Sequence, residues 1–196
     1  MASLHFYYST MNAGKSLDLL RSNFNYLERK MRTYVLKPQI DNRESKEVIR
    51  SRCGLEVECE LFKQDHDLFA MISEYTVLNG DVHCVFIDEG QFMTEAQVIQ
   101  LSMVAVKLHI PVVVYGLRSD FQGKLFPGSA ALLVWANKLK ELKTICWCGS
   151  KATMVLRLDS AGKVVRIGEQ VQIGGNDSYV SVCTEHFMDG KIESAS

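Results

Sequence analysis

Residues 9–16 read Ser-Thr-Met-Asn-Ala-Gly-Lys-Ser, the phosphate-loop pattern Gly-x4-Gly-Lys-Ser/Thr with Ser9 standing at the first glycine position. No other stretch constrains the fold as tightly, because such a loop works only between a strand and a helix. Leu4 to Tyr8 have strand composition, and Leu17, Leu19, Leu20, Phe24, Leu27 and Met31 follow Lys15 at helical spacing. That spacing predicts a helix running to about Met31. In this setting backbone N–H groups and the helix N-terminus converge on an anion. Lys15 would reach the β- and γ-phosphates of a nucleotide, and the Ser16 hydroxyl would help to hold Mg2+. The first glycine of such loops often supplies a backbone shape that other residues resist. A short hydroxyl side chain at Ser9 needs only an ordinary φ and can hydrogen-bond to the loop.

The rest of the chain supplies the partners of that strand. Thr33 to Leu36 form a short β-type run ended by Lys37-Pro38, and residues 39–47 have the composition of a polar loop. Val82 to Ile87 are continuously apolar and end in Asp88-Glu89. Thr94 with Gln97 reads as a capping box opening a helix to about Leu108. Pro111 then leads into the apolar run Val112 to Tyr115, and Ala130 to Leu142 read as one more helix. Apolar strands separated by helices predict an α/β fold whose mainly parallel sheet is buried on both faces. The ligand then lies at the carboxyl ends of the strands, where Ser9, Asp88 and Gly116 fall. After Leu142 the texture changes to a knuckle, Cys146-Trp147-Cys148-Gly149, and a hairpin, Thr153–Leu158 and Lys163–Ile167 around Asp159-Ser160-Ala161-Gly162. This divides the chain into a nucleotide-binding unit, 1–142, and a small C-terminal unit, 143–196.

Three further groups carry chemistry. Asp88, at the end of an apolar strand, suits Mg2+ directly or through water. Glu89 is expected to point elsewhere, since adjacent strand residues face opposite sides, and a carboxylate beside the γ-phosphate could accept the proton of an attacking hydroxyl. Arg43 is a candidate for charge neutralisation from the polar loop, against the simpler reading of a solvated side chain. Cys146-x-Cys148 and Cys183-x2-His186 place four soft ligands on two turns, a closed structural zinc site. Between the pairs, Gln170 to Asp177 contain Gly174-Gly175, which read equally as an ordinary turn or as a loop whose backbone approaches a small ligand.

The formal charge of −1 offers no general attraction for nucleic acid or membrane. No apolar run approaches the ~20 residues needed to span a bilayer, and no signal peptide opens the chain. A soluble, cytoplasmic protein is expected. Of the six cysteines, Cys53, Cys59 and Cys84 read as buried free thiols. The composition after Phe187 suggests an unordered tail.

The whole assembly resembles the type II thymidine kinases. The likeness rests on Met11 to Ser16, Lys37-Pro38 with Asp41-x-Arg43, Asp88-Glu89-Gly90-Gln91-Phe92, Gly116-Leu117-Arg118-x-Asp120-Phe121, Leu142 to Cys146, and Ile173-Gly174-Gly175-x4-Tyr179-x-Ser181-Val182-Cys183. It covers nearly the whole chain in order. The resemblance implies a P-loop, RecA-like core with a C-terminal zinc unit, and transfer of the ATP γ-phosphate to the 5′-hydroxyl of thymidine. It assigns ATP and Mg2+ to Ser9, Thr10, Met11, Asn12, Ala13, Gly14, Lys15, Ser16, Asp41, Arg43, Asp88, Glu89, Gly90 and Gln91, with Glu89 as the proton acceptor. It assigns the nucleoside to Met11, Phe92, Leu117, Phe121, Phe126 and Tyr179, and the thymine ring to a "lasso" of Gln170, Val171, Gln172, Ile173 and Gly174. Family members are usually homotetramers inhibited by dTTP. Many relatives carry Cys-x2-Cys in both zinc pairs and begin the loop with Gly, and both features differ here. The rival readings are another P-loop phosphotransferase of broader specificity, a zinc-ribbon ATPase acting on nucleic acid, and a non-catalytic nucleotide-binding regulator.

Overall fold

The computed structural model describes residues 2–39, 48–170 and 178–193. Asp41, Arg43, Val171, Gln172, Ile173 and Gly174, and nearly all of the polar loop 39–47, lie outside the described residues.

In chain order the elements are β1 (Leu4–Ser9), α1 (Lys15–Leu27), β2 (Thr33–Pro38), β3 (Val48–Arg50), β4 (Glu56–Glu58), β5 (Glu60–Phe62), α2 (Leu68–Asn79), β6 (Cys84–Ile87), α3 (Glu95–Met103), β7 (Val112–Leu117), α4 (Pro127–Trp135), β8 (Lys138–Glu141), β9 (Thr144–Ile145), β10 (Lys151–Ala152), β11 (Met154–Leu158), β12 (Val164–Val165), β13 (Tyr179–Val182) and α5 (Thr184–Asp189). Six strands form one sheet in the order β5-β2-β6-β7-β1-β8, and every pairing in it is parallel. All four residues of β6 are buried, as expected of a strand covered on both faces. The larger core cluster, with Phe6, Leu36, Ile72, Val85, Ile87, Leu101, Val114 and Leu132, packs α2, α3 and α4 on one face. A second cluster with Leu19, Val35, Phe86 and Tyr115 seats α1 on the other. Among the described residues no helix is long and apolar enough to cross a membrane.

Several expectations are corrected. Helix α1 stops at Leu27 rather than near Met31. Lys30 takes φ 60°, and Met31 N–H bonds to the Tyr26 carbonyl while Lys30 N–H bonds to that of Leu27, so a Schellman turn ends the helix before its apolar spacing runs out. The helix expected over Ala130–Leu142 is α4 plus the edge strand β8. There Asn137 Oδ1 accepts from Leu4 N–H at 2.9 Å, and Asn137 and Leu142 N–H groups bond to the Leu4 and Tyr8 carbonyls. Satisfying the outer edge of β1 overrides the helical propensity of the segment. The Thr94–Gln97 capping box is present in both directions, and after α3 the helix continues to Leu108 as a wider π-helical stretch.

Residues 144–193 build two small antiparallel sheets, β10-β9 and β12-β11-β13. Among the described residues their buried cluster contains Cys146, Ala152, Leu156, Val182 and Cys183. Of the tail expected to be unordered, residues 188–193 are described and Ile192 packs against that cluster, while residues 194–196 lie outside the described residues. Cys59 and Cys84 are buried, but Cys53 is exposed in the bend between β3 and β4.

Candidate active site

The phosphate loop leaves β1 and enters α1 with φ positive at Asn12 (63°) and Gly14 (75°), but not at Met11 or Ala13. Alternating signs of φ fold successive N–H groups into a concave anion-binding nest. No side chain caps the start of α1, so its first N–H groups face the same space. Ser9 keeps a negative φ and works through its hydroxyl, which donates to the Thr10 carbonyl at 2.8 Å and accepts from Lys15 Nζ at 3.1 Å. Lys15 Nζ also donates to the Thr10 carbonyl at 2.7 Å. The Lys15 ammonium is therefore buried and fixed by the loop it serves. Burial pulls its pKa down, against the opposing fields of Glu89 and Asp88.

The carboxylates stand one strand away, with β7 between β6 and β1. Ser16 Oγ donates to Asp88 Oδ2 at 2.8 Å, so the last residue of the loop touches the end of β6. Burial, then repulsion from Glu89, push the Asp88 carboxyl up to about 6, while the Ser16 hydrogen bond pulls the other way. Glu89 is not a strand residue pointing away, as expected from alternation. The strand ends at Ile87, Glu89 turns through the left-handed region at φ 54°, and its charge, like that of Asp88, acts on Lys15. A non-glycine residue held there costs about 1 kcal/mol or more and is characteristic of functional turns. The turn is held by the Glu89 N–H donating to Asp88 Oδ1 at 3.0 Å and by Gln91 Nε2 donating to Glu89 Oε2 at 2.5 Å.

Gln91 also accepts from the Leu117 N–H at 3.0 Å, and Ser129 Oγ donates to the Leu117 carbonyl at 2.5 Å. This brings Gly90-Gln91-Phe92, the end of β7 and the start of α4 together, with Phe92 and Phe126 edge to face at 5.7 Å. The packing leaves no room for a side chain at residue 128: a Cβ on Gly128 would lie 2.4 Å from the Gly90 carbonyl oxygen. Phe121 is buried beneath the Arg157 guanidinium, 3.7 Å from its ring centre. Gln170 Nε2 donates to Asp120 Oδ2 at 2.8 Å. Tyr179 pairs with Arg157 across β13 and β11, and Met11 is joined to β13 through Ser181 Oγ, which donates to its carbonyl at 2.7 Å.

Gln170, assigned to the thymine on the resemblance, belongs to a connected set of polar residues whose contacts went unread in the sequence. Buried Asp120 accepts from the backbone N–H groups of Gln122 and Lys124 as well as from Gln170. Arg157 donates to the Glu169 carbonyl at 2.8 Å, and Gln122 Nε2 to that of Gly168 at 2.9 Å. These residues fix the chain from Gly168 to Gln170. Their signal was a charged residue inside an apolar strand, Arg157, and an Asp in a turn, neither of which reveals its partner.

The ligand atoms of Cys146, Cys148, Cys183 and His186 lie within 4.8 Å of one another. His186 Nδ1 stands 3.4 Å from Cys146 Sγ and 3.3 Å from Cys183 Sγ. Four ligands at zinc distances of about 2.0 to 2.3 Å have tetrahedral edges of roughly 3.5–3.8 Å, so the Cys3His donor set fits zinc. Hydrogen bonds from Ser150, first its side chain and then its backbone, draw the Cys148 thiol down to about 6, toward the ligating thiolate. Trp147 stacks on the His186 ring at 4.1 Å.

A family model described as thymidine kinase matches residues 2–187. The thymidine kinase of Pasteurella multocida (strain Pm70) is 54% identical over 189 residues, covering 96% of this chain and 98% of that protein. The chain belongs to the thymidine kinase family. The thymidine kinase of Salmonella choleraesuis (strain SC-B67) is 55% identical over 193 residues, 98% of this chain and 94% of the relative. That of Photobacterium profundum is 54% identical over 191 residues, 96% of this chain and 98% of the relative. Phosphate loop, strained carboxylate turn and metal cluster thus all fall inside the span matched to the thymidine kinase family model.

Proposed function

We propose that the chain transfers the γ-phosphate of ATP to the 5′-hydroxyl of thymidine, giving thymidine monophosphate. The observation that carries this reading is the contact of Ser16 Oγ with Asp88 Oδ2 beside Lys15 and Glu89, in a chain with full-length relatives named thymidine kinase. Residues 9–16 would cradle the triphosphate with backbone N–H groups, and Lys15 would neutralise charge on the transferred group. Ser16 and Asp88 would hold Mg2+, which supplies further neutralisation when bound. Glu89, half-exposed at the turn and oriented by Gln91, would accept the proton of the 5′-hydroxyl.

Met11, Phe92, Leu117, Phe121, Phe126, Gln170 and Tyr179 are proposed to surround the nucleoside. On the resemblance alone, Asp41 and Arg43 are assigned to the nucleotide and Val171, Gln172, Ile173 and Gly174 to the thymine. Zinc at Cys146, Cys148, Cys183 and His186 is structural in this reading. The same reading gives a nucleotide-binding unit of 1–142, an acceptor-side unit of 143–196, a cytoplasmic homotetramer, and inhibition by dTTP, with no nucleic acid or membrane partner. ATP-dependent phosphorylation of the four deoxynucleosides, assayed side by side, tests it. Thymidine should dominate by kcat/KM, and comparable values for deoxycytidine would reject the assignment.

A further inference from the structure

Two polar contacts join the small C-terminal sheet to the phosphate loop. Ser181 Oγ donates to the Met11 carbonyl at 2.7 Å, across 170 positions of sequence. Arg118 makes the second: its N–H donates to the Ser9 carbonyl at 3.2 Å, and its guanidinium Nη2 donates to the Thr153 carbonyl at 2.9 Å. Thr153 N–H in turn bonds to the Val182 carbonyl at 3.0 Å. The two contacts therefore end on β13 and on the residue just before β11 that is bonded to β13, and they grip the loop at its first and third residues. Ser181 itself lies two positions from Tyr179 and two from Cys183.

The bond to Met11 does more than tie two surfaces. A trans peptide holds its N–H opposite its C=O, so fixing the Met11 carbonyl toward Ser181 also fixes the Asn12 N–H on the other side of that peptide. Asn12 is the residue with φ 63°, one of the two left-handed positions that make the nest. Such a backbone persists in a non-glycine residue only where its surroundings over-determine it. Ser9 Oγ and Lys15 Nζ bind the Thr10 carbonyl from within the loop. The Met11 carbonyl takes its shorter bond, at 2.7 Å, from Ser181 outside the loop, and a longer one, at 3.4 Å, from Thr10 Oγ1 within it.

We infer that Ser181, backed by Arg118, is a positioning residue that holds the Met11–Asn12 peptide in its phosphate-binding orientation. The affinity of the loop for a nucleoside triphosphate then depends on the integrity of the C-terminal sheet. The inference rests on the reading of residues 9–16 as the triphosphate site. Because coupling between sites is reciprocal, occupancy of the loop also steadies the strand that carries Tyr179.

Calorimetric titration of MgATP into the full-length zinc-loaded protein tests it, with wild type compared to Ser181→Ala, Ser181→Thr and Arg118→Gln. Removing one neutral hydrogen bond should weaken binding roughly 2- to 10-fold in Ser181→Ala. Ser181→Thr, which keeps the hydroxyl on a β-branched residue suited to a strand, should restore it. In turnover assays the KM for ATP should rise by a similar factor while the KM for thymidine changes less. Arg118→Gln, which leaves Ser181 in place, should weaken MgATP in the same direction. Wild-type affinity in Ser181→Ala, or in Arg118→Gln should Ser181→Ala not fold, overturns the inference. So does failure of Ser181→Thr to restore binding with zinc content and Tm unchanged, since the hydroxyl is then not the cause. No MgATP binding by the wild-type protein is a separate result, which overturns the triphosphate reading itself.

Discussion

The two ends of this chain are held together by opposite means. The parallel sheet has buried apolar side chains on both faces, and that packing supports destabilising features: a buried lysine, a buried aspartate and left-handed turns at Asn12 and Glu89. Among the described residues the C-terminal sheets have five buried residues in their cluster, and two of those are Cys146 and Cys183 of the candidate metal site. With so small a cluster to bury, this part is proposed to depend on a metal held by its Cys and His ligands. In that reading one region loses stability at its site, and the other gains stability from its site.

Removing the metal should break that comparison most visibly. Structural zinc in small units contributes on the order of 10 kcal/mol or more to folding. Cys183→Ser should lose its zinc and, with it, amide-exchange protection across β11 and β13, while β6 and β7 stay protected. Retained protection of β11 in metal-free protein would show that the small core suffices without the ion.

Next in size is Glu89→Gln. It keeps the shape of the turn but removes the proton acceptor, and kcat should fall by at least ~10²-fold with MgATP binding kept. Turnover near wild type would remove Glu89 from its proposed role and leave its strained turn unexplained.

Gly128→Ala probes how tightly the packing of the sheet is committed. The added Cβ would meet the carbonyl oxygens of Gly90, Met93 and Gln91 at 2.4, 2.8 and 2.9 Å. These are backbone atoms in and beside the carboxylate turn, which cannot swing aside as a side chain can. A loss of about 2–3 kcal/mol follows, or roughly 5–10 °C in Tm for a chain of this size. An unchanged melting temperature would mean that the turn and α4 are free to move apart.

What the sequence made legible follows the same division of labour. Residues 9–16, Asp88 and the Cys/His pairs were readable because each piece is contiguous and its spacing reflects one local geometry. Strand β8 was misread as helix because Lys138 to Glu141 have no strand-like alternation, and only the open edge of β1 makes them extended. Helix α2, with Asp67 accepting from Ala70 N–H at its start, went unread although its cap was present. Arg157, Asp120 and Ser181 were invisible as site residues for a deeper reason. Each has a partner that lies 12 to 170 residues away, and even the local turn bonds of Asp120 to Gln122 and Lys124 do not reveal that distant contact.

The smallest effect concerns Asp88, and here the sign matters. Its folded pKa, about 6 against an ordinary value of 3.8, means that the folded protein binds this proton more tightly than the unfolded chain. Stability contributed by Asp88 is therefore complete below about pH 4 and declines as pH rises toward 6, after which the cost is constant. Asp88→Asn, a neutral stand-in for the protonated acid that still accepts from Ser16, should match wild type in Tm near pH 4. At pH 7 it should exceed wild type by the order of 1–2 kcal/mol, a few degrees. The gain should vanish when MgATP is added, because the ionised carboxylate is then the form that the ligand stabilises. A variant less stable than wild type at pH 7 would place Asp88 among the groups that hold the sheet together, and the contrast between a region destabilised by its site and one stabilised by it would fail at this buried carboxylate.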